Sequence, residues 1–100
     1  MISEGKKVYN EGNFRGALVK FREALAKDKN NPIATYWVGE CHLALTNYER
    51  ALKYGKLAYE MDKEIHTEVN YLIGVCCHKL GKIDEALENY EKAALVINEA

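Results

Sequence analysis

The sequence predicts an all-α fold, an α-solenoid of three antiparallel helical hairpins with six helices. Glycine and alanine recur at steps of 34 and 35 residues, which indicates an internal repeat. Apolar residues between these anchors follow the three-and-four spacing of an α-helix. Proline, which breaks helices, occurs only once in the chain. The recurring small residues are Gly5, Gly39 and Gly74 in one series, Ala17, Ala51 and Ala86 in a second, and Ala24, Ala58 and Ala93 in a third.

The first hairpin is expected to cover about residues 1–31. Its first helix should end at about Asn10, and its second helix should span about Phe14–Lys27. Asn13 lies just before the second helix, where an asparagine side chain accepts a hydrogen bond from a free backbone amide. The stretch from Glu11 to Asn13 therefore predicts the turn between the two helices.

The second hairpin is expected to cover about residues 32–66. Its first helix should span about Pro32–Ala44, because Asn31 is a good N-cap and a proline in the first turn loses no needed hydrogen bond. Its second helix should span about Tyr48–Met61. Asn47 is predicted to cap that helix in the same way as Asn13.

The third hairpin is expected to cover about residues 67–100, with helices over about Thr67–Lys79 and Ile83–Ile97. Strands are not expected. Repeat proteins usually end in a unit with a polar outer face, yet no later helix covers the apolar stretch Leu95-Val96-Ile97. We therefore expect the single domain of residues 1–100 to be a fragment of a longer protein, or to self-associate through an end.

The recurring small residues have a packing explanation. We expect the glycines of the first helices to face the alanines of the second helices, so that the two backbones of each hairpin approach closely. Glycine costs roughly 1 kcal/mol relative to alanine inside a helix, so three glycines in register indicate a shared steric requirement. A bulky replacement should force the hairpin open.

The repeat resembles the tetratricopeptide repeat, a helical hairpin of 34 residues with an L-G-x2-Y segment and a later A-x3-F segment. The first segment corresponds here to Val38–His42 and Ile73–Cys77, and the second to Ala17–Phe21 and Ala86–Tyr90. The resemblance covers the whole chain as three repeats, except for the first turn of the first helix.

The chain departs from that pattern in its core and at its junctions. Gly55 stands where the neighbouring repeats carry Phe21 and Tyr90, and we expect Trp37 or a nearby tyrosine to fill the space. The closing proline is absent, and the second junction is one residue longer around Ile65-His66. Because the spacing and the small residues are kept, these departures leave the predicted fold unchanged.

In tetratricopeptide arrays the first helix of each hairpin, called an A helix here, lines the concave side. The resemblance therefore implies a protein-interaction scaffold, not an enzyme, that binds a peptide or partner segment on this face. A structural assembly role, packing against another domain or a second copy through uncapped ends, stays open. The residues implied for the face are Lys6, Tyr9, Asn10, Ile33, Tyr36, Trp37, Glu40, Leu43, Glu68, Tyr71, Leu72, Val75, His78 and Lys79.

Four residues of this implied face are aromatic and are expected to form an aromatic surface. Tyr36 and Tyr71 occupy equivalent repeat positions, and Tyr9 and Trp37 accompany them. Tyrosine and tryptophan are enriched among the residues that contribute most to protein interfaces. The alternative, in which these rings pack between adjacent hairpins, stays open for each of them.

Chaperone tails are predicted not to be partners. Related repeats that bind the carboxylate tails of heat-shock chaperones resemble one another in a set of lysine, arginine and asparagine side chains on the A helices. The matching positions here are Ile2, Lys6, Trp37, Glu68 and Leu72, of which only Lys6 donates to a carboxylate. A more apolar segment is expected to suit the face better.

Composition and the remaining motifs favour no other class of function. A net charge of -1 gives no general attraction to nucleic acid. The apolar runs are far shorter than the roughly 20 residues of a membrane span.

Cys41-His42 and Cys76-Cys77-His78 contain residue types that bind zinc, but Cys41 and Cys76 lie at the same repeat position on separate helices. We therefore expect core thiols, no metal site, no cofactor and no catalytic residues.

The sequence leaves the cellular compartment open between two readings. Three cysteines, an odd number without the spacing of a disulfide framework, favour a reducing compartment such as the cytoplasm. The stretch Tyr36–Cys41 also resembles repeat blocks of bacterial envelope proteins that carry a peptidoglycan-binding domain. The bacterial periplasm or envelope is therefore the alternative.

Overall fold

A computed structural model describes residues 2–99 of the chain, with side chains up to residue 94. These residues form six α-helices and one short 3-10 turn, and the described range contains no strand. The predicted all-α architecture of three hairpins is confirmed. The helices are α1 (Ile2–Asn10), α2 (Phe14–Lys27), α3 (Pro32–Ala44), α4 (Tyr48–Met61), α5 (His66–Lys79) and α6 (Ile83–Glu99).

Three helices, α2, α3 and α4, begin and end at the predicted residues. The differences lie in the third hairpin. Helix α5 begins at His66, one residue before the predicted Thr67, because the 3-10 turn Lys63–Ile65 takes up the longer junction. Helix α6 continues to Glu99, past the predicted end at Ile97. The side chains of Leu95-Val96-Ile97, on which the expectation of an uncovered end depends, lie outside the described residues.

The turns inside the three hairpins share one hydrogen-bond pattern. In the first turn the Gly12 amide donates to the Tyr9 carbonyl and the Asn13 amide donates to the Val8 carbonyl. The other two turns repeat both bonds at the equivalent positions, which is the Schellman arrangement that ends a helix with a left-handed residue. That residue is Gly12, Thr46 or Gly81, with φ of 85°, 64° and 79° respectively.

Two of the three predicted N-caps are confirmed. The Asn13 side chain accepts from the Gly16 amide at 2.9 Å, and the Asn31 side chain accepts from the Ile33 and Ala34 amides at 3.1 Å. The prediction for Asn47 is wrong, since its side chain makes no capping hydrogen bond. The Asn47 backbone carbonyl alone closes the first turn of α4 by accepting from the Ala51 amide at 2.9 Å.

The A-helix glycines do mark close contacts between the paired helices. A Cβ atom on Gly74 would lie 2.8 Å from the Tyr90 ring and 3.4 Å from the Ala86 carbonyl oxygen. A Cβ atom on Gly5 would lie 2.6 Å from the Phe21 ring. Separations under 3.0 Å leave no room for a side chain, so large rings press directly on the glycines in the first and third hairpins.

The middle hairpin packs differently because Gly55 supplies no ring. A Cβ atom on Gly39 would lie 3.0 Å from Leu72 Cδ2, and one on Gly55 would lie 3.5 Å from the same atom. Leu72 and Ile73 both belong to α5, so the next hairpin fills this space. The Ile73 Cγ1 atom lies 3.1 Å from the position that a Cβ atom on Gly55 would take. The expectation that Trp37 or a tyrosine fills it is wrong.

Two apolar clusters form the core. One, around Phe21 and Val38, joins the first hairpin to the second, and the other, around Leu72 and Ile73, joins the second to the third. Each helix packs mainly against its neighbours in sequence, with an additional contact between α3 and α5. The A helices α1, α3 and α5 therefore follow one another along the domain, and each leaves one side free. We call the surface formed by these free sides the A-helix face.

Candidate functional site

Trp37 is the centre of an aromatic group on the A-helix face. The Tyr9 ring from α1 meets it edge-on at 5.2 Å between centroids, and the Tyr36 ring meets it edge-on at 5.4 Å. Beneath it, Phe21 stacks on the Trp37 ring at 5.6 Å. The three surface rings pack between hairpins, yet each is only half-buried and keeps part of its surface exposed to solvent.

Tyr71 is equivalent to Tyr36 in sequence but is far more exposed, with 60% of its surface accessible. Tyr36 packs against the core cluster around Leu72 and Ile73, whereas Tyr71 packs against neither cluster of the described residues. The residue after Tyr71 is Leu72, which replaces the tryptophan and is fully buried. Tyr71 lies instead near Tyr90, with ring centroids 5.8 Å apart. Leu72 therefore offers no surface to a partner, and its predicted place on the face is wrong.

A half-buried carboxylate lies among the tyrosines. Burial raises the pKa of Glu40, and hydrogen bonds from the Tyr36 and Tyr9 hydroxyls offset part of this effect. The pKa of Tyr36 is raised by burial first and then by the negative charge of Glu40. The pKa of Tyr9 is raised for the same two reasons. Both tyrosines therefore stay protonated at physiological pH beside Glu40.

A cleft of about 270 Å³ opens beside this group, between the A helices. Lys6 and Glu68 contribute its charged walls, and the Lys6 Nζ atom lies 5.6 Å from the Trp37 ring centroid, within the range of a cation–π contact. Ile33, Tyr36, Trp37 and Ile65 supply the remaining lining. The cleft combines an aromatic floor with one cation and one anion.

The other residues implied for the face spread around this cleft. Leu43 and Val75 are half-buried, and Leu43 packs against the core cluster around Leu72 and Ile73. Ile33 is 41% exposed. The polar residues Asn10, His78 and Lys79 are exposed at the ends of their helices.

A second and larger cleft, of about 450 Å³, lies between the outer helices α4 and α6, away from the A-helix face. Ile73 lines it, with Leu57 and Lys56 on one side and Asn89 on the other. At the position equivalent to Asn89 the preceding repeat has Tyr54, which packs against the first core cluster. Asn89 is too short to do this and donates instead to the Glu85 carbonyl at 2.8 Å.

The cysteines lie in the core. Cys41, Cys76 and Cys77 are fully buried free thiols. Burial raises the pKa of Cys41 and of Cys76 to about 12, so both stay protonated at neutral pH. Within the described residues no group of three or more histidine, cysteine or acidic side chains is arranged to hold a metal ion. None of the described helices has the length and apolar character that crossing a membrane requires.

Comparison with known families agrees with this architecture. The model of the family described as anaphase-promoting complex, cyclosome, subunit 3 matches residues 10–93, most of the chain. The chain belongs to this tetratricopeptide-repeat family. No curated protein matches the sequence.

A solved tetratricopeptide domain has the same fold. The second TPR of Spaghetti (RPAP3), bound to the HSP90 peptide SRMEEVD, superposes with a TM-score of 0.87 at 23% sequence identity. The match covers 94% of this chain and 86% of the other. The fold assigns the chain to a class of protein-interaction modules that typically lack enzymatic activity.

The same comparison corrects one prediction about partners. A tetratricopeptide domain with this fold holds a chaperone peptide, so the exclusion of chaperone tails was wrong. The exclusion assumed that one particular set of donors is required for that class of ligand. Exposed side chains on the A-helix face that can donate hydrogen bonds include Lys6, His78 and Lys79.

Sequence reasoning missed two features of this tetratricopeptide domain. Ile65 lines the small cleft but lies in the 3-10 turn, whose path depends on the extra junction residue. The cleft between α4 and α6 was also missed. The repeat pattern does indicate this cleft. Gly55 stands where the neighbouring repeats have an aromatic ring, and Asn89 stands where the preceding repeat has Tyr54.

Proposed function

We propose that this tetratricopeptide domain is a scaffold that binds an extended peptide segment on the concave side of its A helices. The observation that carries the proposal is the half-exposed aromatic group of Tyr9, Tyr36 and Trp37 beside a cleft with charged walls. Rigid aromatic side chains contribute large contact area with little loss of conformational entropy on binding.

The cleft suits a peptide side chain in size and chemistry. A volume of about 270 Å³ is small for a whole ligand but ample for one apolar side chain. Ile33 and Ile65 offer aliphatic contacts, and Lys6 and Glu68 lie where a peptide backbone or polar side chain would pass. Exposed Tyr71 extends the contact surface along α5.

The peptide SRMEEVD is a suitable first probe, because a domain of the same fold holds it. Random peptides on a display library are the second probe, since they make no assumption about charge. Binding is followed by the fluorescence of Trp37, the only tryptophan in the chain.

The deciding variant replaces Tyr36 and Tyr71 with alanine together. We expect the double variant to lose affinity for the selected peptides by about tenfold or more, because aromatic hot-spot residues typically contribute more than about 1 kcal/mol each. The helical circular dichroism signal should be unchanged. The matched control is Tyr48→Ala, which removes a half-buried tyrosine at the start of α4. Equal binding by the double variant and the control would reject the assigned face.

The alternative is a structural assembly role. Val19, Leu57 and Leu87 on the outer helices are about half-exposed, which provides apolar surface for another domain or a second copy. Light scattering over a range of concentrations separates the two possibilities. A mass that rises with concentration favours assembly, and a constant monomer mass removes the self-association version.

A further inference from the structure

We propose that the carboxylate of Glu40 selects a basic side chain, arginine or lysine, in the bound segment. The inference rests on the proposed peptide-binding function and adds the class of residue that the face selects. Its basis is a half-buried carboxylate without an ion-pair partner, on the same side of α3 as Tyr36, whose ring lines the small cleft.

Glu40 lies on α3 one helical turn after Tyr36, so both side chains project from the same side of the helix. Tyr9 approaches from α1. The ion pairs among the described residues are Lys20–Glu4 and Lys92–Glu88, and neither involves Glu40. A partly desolvated carboxylate without an opposite charge is unfavourable, and a cation from a partner would relieve this.

A second carboxylate adds to the negative potential at the same place. Glu68 from α5 lines the cleft together with Tyr36. The positive charge of Lys6 lies on the α1 side, near the Trp37 ring. Charge along the cleft therefore changes from positive near α1 to negative near α5, and a basic side chain is favoured at the negative end.

The rings around Glu40 also suit a cation. A guanidinium or ammonium group within about 6 Å of an aromatic ring centroid gains a cation–π attraction. The half-exposed Tyr36 ring offers such a surface next to the carboxylate. Arginine is expected to be preferred over lysine, because its planar group stacks on a ring and donates two parallel hydrogen bonds to a carboxylate.

The experiment compares peptide selection by the natural domain and by Glu40→Gln. This substitution removes the charge and keeps a hydrogen-bond acceptor for the tyrosine hydroxyls, so the site should stay folded. We expect the natural domain to enrich peptides with arginine or lysine at one fixed position, and Glu40→Gln to lose that enrichment. The matched control is Glu23→Gln on the exposed side of α2, which changes the net charge equally and should keep the enrichment.

The second measurement is affinity for the strongest selected peptide and for the same peptide with its arginine replaced by citrulline, which is neutral and similar in shape. The exchange should weaken binding to the natural domain by about ten- to hundredfold, the range of a charge-assisted hydrogen bond. Binding to Glu40→Gln should change little.

Three outcomes overturn the inference. Enriched peptides that carry no basic position reject it, as does a citrulline effect of equal size in the natural domain and in Glu40→Gln. Preferred acidic positions opposite Glu40 would also reject it. In each of these cases the scaffold function survives as long as Tyr36 and Tyr71 are needed for binding. Failure to enrich any peptide would instead reject the scaffold function itself.

Discussion

Trp37 stacks on Phe21 with ring planes 16° apart and centroids 5.6 Å apart. One ring belongs to the A-helix face and the other to the core, so a surface residue depends on a buried one. Phe21 is fully buried and also presses on Gly5. The aromatic group is therefore positioned from beneath by the first hairpin.

We expect Phe21→Ala to lower the free energy of unfolding by about 3–5 kcal/mol, the usual effect of removing a large buried ring. The fluorescence of Trp37 should also change, because its stacking partner is lost. Urea unfolding followed by circular dichroism gives the first quantity. The control is Leu87→Ala at a 54% exposed position, which should change stability by less than about 1 kcal/mol. Similar effects from both variants would contradict the assigned core.

Thr46→Gly is expected to stabilise the domain by about 1 kcal/mol. Thr46 has a φ of 64°, a left-handed conformation that a β-branched residue adopts with strain, whereas the equivalent turns use Gly12 and Gly81. Thermal unfolding measures the change. The reciprocal control, Gly81→Ala, should destabilise by a similar amount, since open space surrounds Gly81 and only the backbone conformation is at issue. A loss of stability in Thr46→Gly would contradict this account.

Stability should fall in mild acid because of His42. The side chain is 1% exposed, stacks on Tyr54, and has no hydrogen-bond partner for either ring nitrogen among the described residues. Burial lowers its pKa below 6.5, and the nearby charges of Arg22 and Arg50 act in the same direction. The unfolded chain therefore binds a proton at His42 more readily than the folded chain does.

This stabilising contribution is complete above about pH 6.5 and is lost as the pH falls toward the lower pKa of the folded state. His42→Val, which introduces the residue type that Val8 provides at the equivalent position of the first repeat, should remove it. The difference in unfolding free energy between the natural chain and His42→Val should change by up to about 1.4 kcal/mol per pH unit below pH 6.5. The raised pKa of Glu40 changes stability in the opposite direction as the pH falls. Both chains contain Glu40, so its effect cancels in the difference between them. A pH-independent difference would contradict the prediction.

The three thiols should be unreactive toward Ellman's reagent in the folded state near neutral pH. Cys41 and Cys76 are buried and have pKa values raised to about 12, and burial also raises the pKa of Cys77, whose thiol donates to Glu85 at 3.7 Å. Only the thiolate attacks the reagent. All three should react in denaturant, and fast reaction of the folded chain would contradict their placement.

Local signals in the sequence are sufficient to predict most of the helices. Asn31 before Pro32 locates the start of α3, and helical spacing with turn residues locates α2 and α4. Caps act within a few residues, so they can be recognised without knowledge of the fold. The extra residue at the second junction is visible in the sequence, but the 3-10 turn that accommodates it is not.

Contacts between hairpins are harder to predict. The missing ring at Gly55 is evident from the repeat, yet its replacement by Leu72 is not, because several helices could reach the same space. For the same reason Leu72 is predicted on the surface although it is buried. The repeat positions do identify the residues of the aromatic group, while the approach of Tyr9 to Glu40 depends on the angle between α1 and α3.

The use of Leu72 to complete the middle hairpin has a consequence for how the domain unfolds. The first hairpin contains its own large ring, but the second is fully packed only while α5 is docked on it. Detachment of the third hairpin would leave a void beside Gly39 and Gly55, so the second should be lost in the same cooperative step. The second and third hairpins should therefore unfold together in one transition. A chain that ends after α4 should have a free energy of unfolding well below two-thirds of that of the intact domain.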